Sequence, residues 1–190
     1  MNARGIAFDM LKDIFLHKTY SNLLLRKGLN KAKAQDKGLI TQIVYGTLQN
    51  YRLCRYQWMD CVKKLPSDEV CIILDMSVYQ LLYMDKLPAY AIINDAVDIT
   101  KKQIHVKMAK LVNAVLHAVE RRGEREVTGK QEEILAIKTS HPTWLVQMWK
   151  AQYGWDVTQN ICEADMETKP NAARVNTWKI TRDALMELDA

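Results

Sequence analysis

The sequence predicts an all-α protein, an irregular helical bundle followed by a helical pair and an incomplete β-α segment. Three observations carry this. Among 190 residues there are only 7 Gly and 4 Pro, too few for the closely spaced turns of a sandwich. Apolar residues recur at steps of three and four through most of the first 122 positions, which is helical spacing. The stretch 67–84 is apolar on nearly every side, as suits a helix enclosed by others.

The elements follow in order. Ala3, Ala7, Met10, Leu11 and Ile14 share one helix face. A restart follows at Tyr20, with Ser21 or Asn22 able to cap it. A third helix runs from about Ala34 to Asn50 with Leu39, Ile43 and Leu48 inward. Gly38 and Gly46 cost it propensity, so close packing should compensate. A fourth spans Tyr51 to about Val62. The fifth begins after Pro66, with Ser67 as cap and Asp68 and Glu69 at the positive end of its dipole. Its residues Val70 to Met84 are apolar around most of the circumference and place it at the bundle centre. Pro88 precedes a helix from Ala89 to Lys101, and Met108, Leu111, Val112, Val115 and Val119 give one more helical face.

Beyond residue 122 the composition changes. Residues 121–130 hold two Gly and six charges, which reads as a solvated connection. The expected organisation is a bundle at 1–122, a linker with a short helix at 123–139, and a third region at 140–190. Ser140 before Pro142 suggests a capped helix start, Gly154 interrupts, and Asp156 to about Met166 resumes. Residues 172–177 alternate like a short strand, and Thr181 caps a final helix. A single strand without a partner is not stable alone, so residues 168–190 are expected to be mobile or held by a neighbour.

Charge separates the same regions. Overall 27 Lys/Arg face 22 Asp/Glu, a net of +5. Residues 1–130 hold 21 basic against 13 acidic residues, while 131–190 hold 6 against 9. Within 99–125 stand Lys101, Lys102, Lys107, Lys110, Arg121, Arg122 and Arg125, opposed only by Glu120 and Glu124. Such a cluster attracts phosphate by charge and counterion release. A solvated face without a partner is the plain alternative. The apolar run Val70–Leu74 stops at Asp75, far short of the roughly twenty residues of a membrane span. The N-terminus lacks a secretory pattern, so the protein is expected to be cytoplasmic and off the membrane.

Other residues point to structure. Cys54, Cys61, Cys71 and Cys162 form no CxxC pair and read as reduced, partly buried thiols. His17, His105 and His117 show no metal-ligand pattern, and His141 reads as part of a cap. Asn94 and Asn113 lie within apolar strings and are expected to be buried amides. Trp144, Trp149 and Trp155 are expected in a core or seam, with base stacking the lesser reading.

Several strings in order resemble the N-terminal part of the bacterial Sun/RsmB family, whose own N-terminal domain resembles the antitermination factor NusB. They are Ala3–Ala7, Asp36–Leu48, Tyr79–Pro88, Ala91–Val97, Leu111–Leu116, Ser140–Trp144 and Arg174–Asn176. The first five suit NusB alone; the last two lie beyond a domain of that size. The resemblance implies a ribosomal RNA methyltransferase making 5-methylcytosine in small-subunit RNA. It also implies a NusB-like domain that binds ribosomal RNA, with a ribosomal or transcription protein as a further possible partner. Arg4 occupies the position of an arginine-bearing, RNA-contacting terminus, and Arg174 and Asn176 enter an RNA-contacting subdomain. The proposed RNA-binding set is therefore Arg4, Lys101, Lys102, Lys107, Lys110, Arg121, Arg122, Arg125, Arg174 and Asn176. Such enzymes bind S-adenosylmethionine and use two cysteines in a further domain. No glycine-rich loop after a strand occurs here, and no cysteine stands in a Pro-Cys or Thr-Cys context. The chain is expected to be a catalytically inert piece of a longer enzyme, without its own cofactor, catalytic or metal site. A free-standing NusB-like factor acting in transcription stays open as the alternative.

Overall fold

In the computed structural model, residues 2–21, 25, 28–30, 32–85, 87–167 and 174–188 are described. Asn2 opens α1 (Ala3–His17), its side chain accepting a hydrogen bond from the Gly5 N–H. A 3₁₀ turn at Ala34–Asp36 leads into α2 (Lys37–Gln49), and α3 (Tyr51–Trp58) follows after Asn50. The expected fourth helix thus stops earlier, and its end, Met59–Cys61, tightens to 3₁₀. Next come α4 (Asp68–Tyr83), α5 (Ala89–Ile99) and α6 (Val106–Arg122). A π turn, Thr100–Ile104, joins α5 to α6. The His105 ring caps α6 by accepting from the Lys107 N–H at 3.1 Å.

Helix α4 is the axis of the bundle, as its all-round apolarity predicts. Every residue from Val70 to Gln80 is buried, and α1, α2, α3, α5 and α6 all pack on it. A helix so enclosed must satisfy its polar side chains internally. Asp75 accepts from Arg55 Nη2 at 2.6 Å and from Trp58 Nε1 at 2.7 Å, tying α3 to the axis. Gln80 accepts from Arg4 Nε at 2.6 Å and donates to the Met76 carbonyl at 2.9 Å, tying α1 to it. Ser77 turns back onto the Ile73 carbonyl at 2.7 Å.

Gly46 of α2 is where close packing compensates for lost propensity. A Cβ there would overlap the Tyr79 phenol ring of α4. Gly38 has open space around it and no such role.

The stretch after α6 stays largely exposed, as its composition suggests, but it is not free. It is clamped onto α3. The Gln57 side chain receives the Arg125 N–H at 2.6 Å and donates to the Arg125 carbonyl at 2.9 Å. Tyr56 carries the Arg125 guanidinium 3.9 Å over its ring, and Tyr83 donates to Glu124 at 2.8 Å. Val127 is buried. Charged residues can line a clamped strap as readily as a free one when their partners come from another helix.

The chain then forms α7 (Gln131–Lys138), α8 (Thr143–Tyr153) and α9 (Trp155–Ala164). Leu135, Ala136, Val146 and Cys162 make a small second core, with Trp149 and Trp155 packed against it. Ser140 does not cap α8; Pro142 holds that position. Ser140 adopts a left-handed backbone, φ 54°, and its Oγ accepts from the Arg52 N–H at 3.3 Å. The Arg52 guanidinium donates to the His141 carbonyl and, at 3.0 Å, to Thr143 Oγ1. Helix α3 therefore holds the second unit as well as the strap.

The expected strand at 172–177 is not found in its described part. Residues 174–176 have no regular structure, and the Asn176 carbonyl accepts from Lys179 N at 2.9 Å in a turn. A strand without a neighbour has no ladder to complete. The expectation for 168–173 and 189–190 lies outside the described residues. Helix α10 (Arg182–Leu188) forms where expected, with Thr181 Oγ1 accepting from the Ala184 N–H at 3.3 Å.

Two outcomes are expected from this packing. Replacing Gly46 by Ala should destabilise the fold by about 1–3 kcal/mol through overpacking against Tyr79. Urea unfolding would show a lowered midpoint, and an unchanged one would contradict the packing. Burial pushes the Asp75 carboxyl up to about 6, against the opposing pull of Arg55 and Trp58. A carboxyl raised above its unfolded value binds its proton more tightly when folded. Its stabilisation is complete below about pH 4 and lost as pH rises through about 6. The stability difference between the wild type and Asp75→Asn should therefore shift against the wild type over that range. Thermal unfolding across pH 4–7 measures it, and a pH-independent difference would refute the assignment.

Candidate nucleic-acid interface

The basic residues between 99 and 125 divide into two groups once their partners are known. Helix α6 turns Ala109, Val112, Val115, Leu116 and Val119 into the core. This fixes which side faces solvent. Positions 107, 110, 114, 117 and 121 fall within about 80° of the helix circumference. They are Lys107, Lys110, Ala114, His117 and Arg121, and all but the half-buried His117 are exposed. Lys107, Lys110 and Arg121 carry no ion pair among the described residues. Lys102, exposed in the π turn before α6, is likewise unpaired there. Lys101 stands beside it, 3.8 Å from Asp98. His117 Nδ1 lies 2.8 Å from Glu120.

Arg4, Arg122 and Arg125 of the predicted set are engaged. Arg4 is only 12% exposed; its Nη1 lies 2.6 Å from Asp95 of α5, while its Nε reaches Gln80. Asn2 donates to the same Asp95 at 2.7 Å. Arg4 thus joins α1, α4 and α5, and its guanidinium is turned into the bundle rather than towards the α6 cations. Arg122 and Arg125 converge on Asp60 at 2.7 and 2.9 Å, and Arg122 also donates to the Gln57 carbonyl. These two hold the strap to the end of α3. Their signal in sequence was charge alone, and the carboxylate that neutralises them lies more than sixty residues away.

Arg174 and Asn176 are exposed but belong to the segment before α10. The Asn176 side chain accepts from the Trp178 N–H at 3.2 Å, a local turn contact. Among the described residues no contact brings them to α6. Two further expectations are corrected. Asn94 and Asn113 are exposed rather than buried, since each falls on the outward side of a helix whose apolar residues lie one step round. Trp144 is 64% exposed rather than in a core. His141 exceeds a capping role, since it touches Thr139 Oγ1 at 2.9 Å, Asp165 at 3.4 Å and the Trp149 ring edge-on.

The thiols are poorly suited to attack. Burial pushes all four upward in pKa, Cys54 furthest, with the Asp75 charge adding to it. The left-handed glycines Gly123 and Gly154 end helices α6 and α8, and Gly129 precedes α7. None links a strand to a helix, the arrangement that cradles a nucleotide-like cofactor. A recess of about 520 Å³ beside the strap opposes Glu124 and Glu126 to Arg125 and Lys138. The described residues thus hold no strand-to-helix turn of that kind. Among them there is also no cluster able to hold a metal ion, and no helix long and apolar enough to cross a membrane.

Comparison with known proteins gives these features a context. Residues 1–121 match the NusB family, and residues 141–188 match the ferredoxin-like domain of the RsmF/B-like methyltransferases. The "Probable ribosomal RNA small subunit methyltransferase B" of Bacillus subtilis is 34% identical over 192 residues, spanning 98% of this chain and 43% of the relative. The "Ribosomal RNA small subunit methyltransferase B" of Pseudomonas putida is 30% identical over 193 residues, spanning 99% of this chain and 43% of the relative. A Synechocystis relative described like the Bacillus protein is 27% identical over 195 residues. The chain thus spans under half the length of these curated relatives, and the alternative of a NusB-like domain standing alone leaves residues 141–188 unexplained. With its α4-centred bundle and its match over residues 1–121, the chain belongs to the NusB family, here joined to an RsmF/B-type segment as in the N-terminal region of Sun/RsmB proteins.

Proposed function

We propose that the chain is the RNA-binding N-terminal region of an S-adenosylmethionine-dependent methyltransferase that modifies cytosine C5 in 16S ribosomal RNA in the cytoplasm. The similarity to the two small-subunit methyltransferases runs through both the bundle and residues 141–188. That continuity beyond a NusB-sized domain is the observation that carries the reading. The cofactor supplies the methyl group in such enzymes, in a domain other than this one. The part played by these residues is to hold RNA and to fix its position relative to that catalytic domain.

The charge distribution supports that part. Helix α6 presents cations with no ion pair among the described residues on a rigid side, whereas Arg4, Arg122 and Arg125 are ion-paired within the chain. The RNA-contacting set is thereby narrowed to Lys102, Lys107, Lys110 and Arg121, with Lys101 at its edge. The clamp from α3 to the strap and to Ser140–Thr143 would carry the orientation of the bundle into the second unit.

Binding of 16S ribosomal RNA fragments should weaken steeply with salt. The slope of log affinity on log salt should fall by about 1 for each of Lys107, Lys110 and Arg121 replaced by Gln. Filter binding at several salt concentrations measures this. Absence of binding at low salt would make the basic side merely solubilising.

A further inference from the structure

We infer that the α6 stripe binds the phosphate backbone of double-helical RNA rather than single-stranded bases; this rests on the RNA-binding function proposed for the chain. The first ground is the geometry of the charges. Lys107 and Arg121 are separated by about 21 Å along one helix axis. Val112, Val115, Leu116 and Val119 fix that helix to the core. The cations therefore move as one straight unit. A rigid row of charges matches a polymer whose phosphates also keep fixed spacing. A flexible strand would have to be ordered to meet it, at an entropic cost.

The second ground is what the stripe lacks. Recognition of single-stranded RNA uses side-chain rings on which splayed bases stack. Between Lys107 and Arg121 the stripe offers Lys110, Ala114 and His117. The only ring is that of His117, which is half-buried and held at 2.8 Å by Glu120. Ala114 leaves the middle of the row low, so that a convex backbone can approach between the flanking cations. The exposed tyrosine and tryptophan rings elsewhere among the described residues do not lie on this stripe: Tyr20 follows α1, Tyr45 belongs to α2, Tyr90 to α5, Trp144 and Tyr153 to α8, and Trp178 to the segment before α10.

The third ground is the ion pairing of three other arginines of the predicted set. A guanidinium is the side chain best suited to stack on a base or grip its edge. Arg4, Arg122 and Arg125 are all held by carboxylates of the same chain. On this helix, what is left for RNA is two lysines and Arg121, which is enough for backbone charge and poor for base reading.

The test is a set of affinity titrations on the whole chain at fixed salt. The probes are a blunt RNA duplex of about 16 base pairs, the span a shape-reading duplex binder covers, and each of its strands alone. The duplex should bind at least tenfold tighter than either strand. The triple variant Lys107→Glu, Lys110→Glu, Arg121→Glu should lose that preference. Its helix content and melting midpoint should match the wild type, because all three side chains are exposed and unpaired. If the variant does not fold, the single change Ala114→Glu tests the same groove, and it too should abolish the preference. Equal or tighter binding of the single strands overturns the duplex inference and leaves the RNA reading intact. Loss of the preference in neither variant also overturns it. Failure of every RNA to bind at low salt overturns both.

Discussion

The structure depends on one constraint. Helix α4 is buried on all sides yet carries Asp75 and Gln80, whose polar atoms must find partners within the protein. Asp75 draws Arg55 and Trp58 from α3, and Gln80 draws Arg4 from α1. The apolar surface of α4 supplies the drive to pack, and these two side chains select the orientation of the helices that pack. An ion pair in such a place adds little net stability, because desolvation offsets its attraction. The upward shift of Asp75 shows that burial wins over the Arg55 pull. The pair acts as a registry contact whose breakage leaves buried groups without partners.

Helix α3 passes this registry on. One side of it meets α4 through Arg55 and Trp58. Another holds the strap through Tyr56 and Gln57 and the second unit through Arg52. A short helix of eight residues thus connects the central axis to the strap and to the turn at Ser140–Thr143. Rigid attachment of this kind suits a module whose task is to hold RNA while another domain acts on it. The same clamps pair Arg122 and Arg125 with Asp60, so the unpaired cations are fewer than the raw charge count implies.

Much of the fold was legible in the sequence because it rests on local period. The all-round apolarity of Val70–Met84 identifies the axis, and the face led by Val112 and Val115 identifies the buried side of α6. The α6 stripe is a consequence of that face, since Lys107 and Lys110 had to lie opposite it. The glycine at 46 announced a close approach, though not that Tyr79 makes it. What was not legible is pairing across distance. Nothing near Arg4 in sequence points to Asp95, and nothing near Arg125 points to Gln57 and Asp60. Charge density marked the 121–130 stretch as solvated, which it largely is, but did not show that partners on α3 make it a fixed strap. Asn94 and Asn113 went the other way, their apolar neighbours suggesting burial while helix geometry turns them outward.

The central claim is that this bundle meets RNA with the unpaired cations of α6 and its preceding turn. Lysine footprinting of the chain with and without a 16S ribosomal RNA fragment tests it most directly. Acetylation by a water-soluble reagent, read by mass spectrometry, should be suppressed by RNA at Lys102, Lys107 and Lys110. The exposed Lys63, Lys64 and Lys138 should react as before. Protection confined to Lys63, Lys64 or Lys138, with the α6 lysines unprotected, would contradict the account.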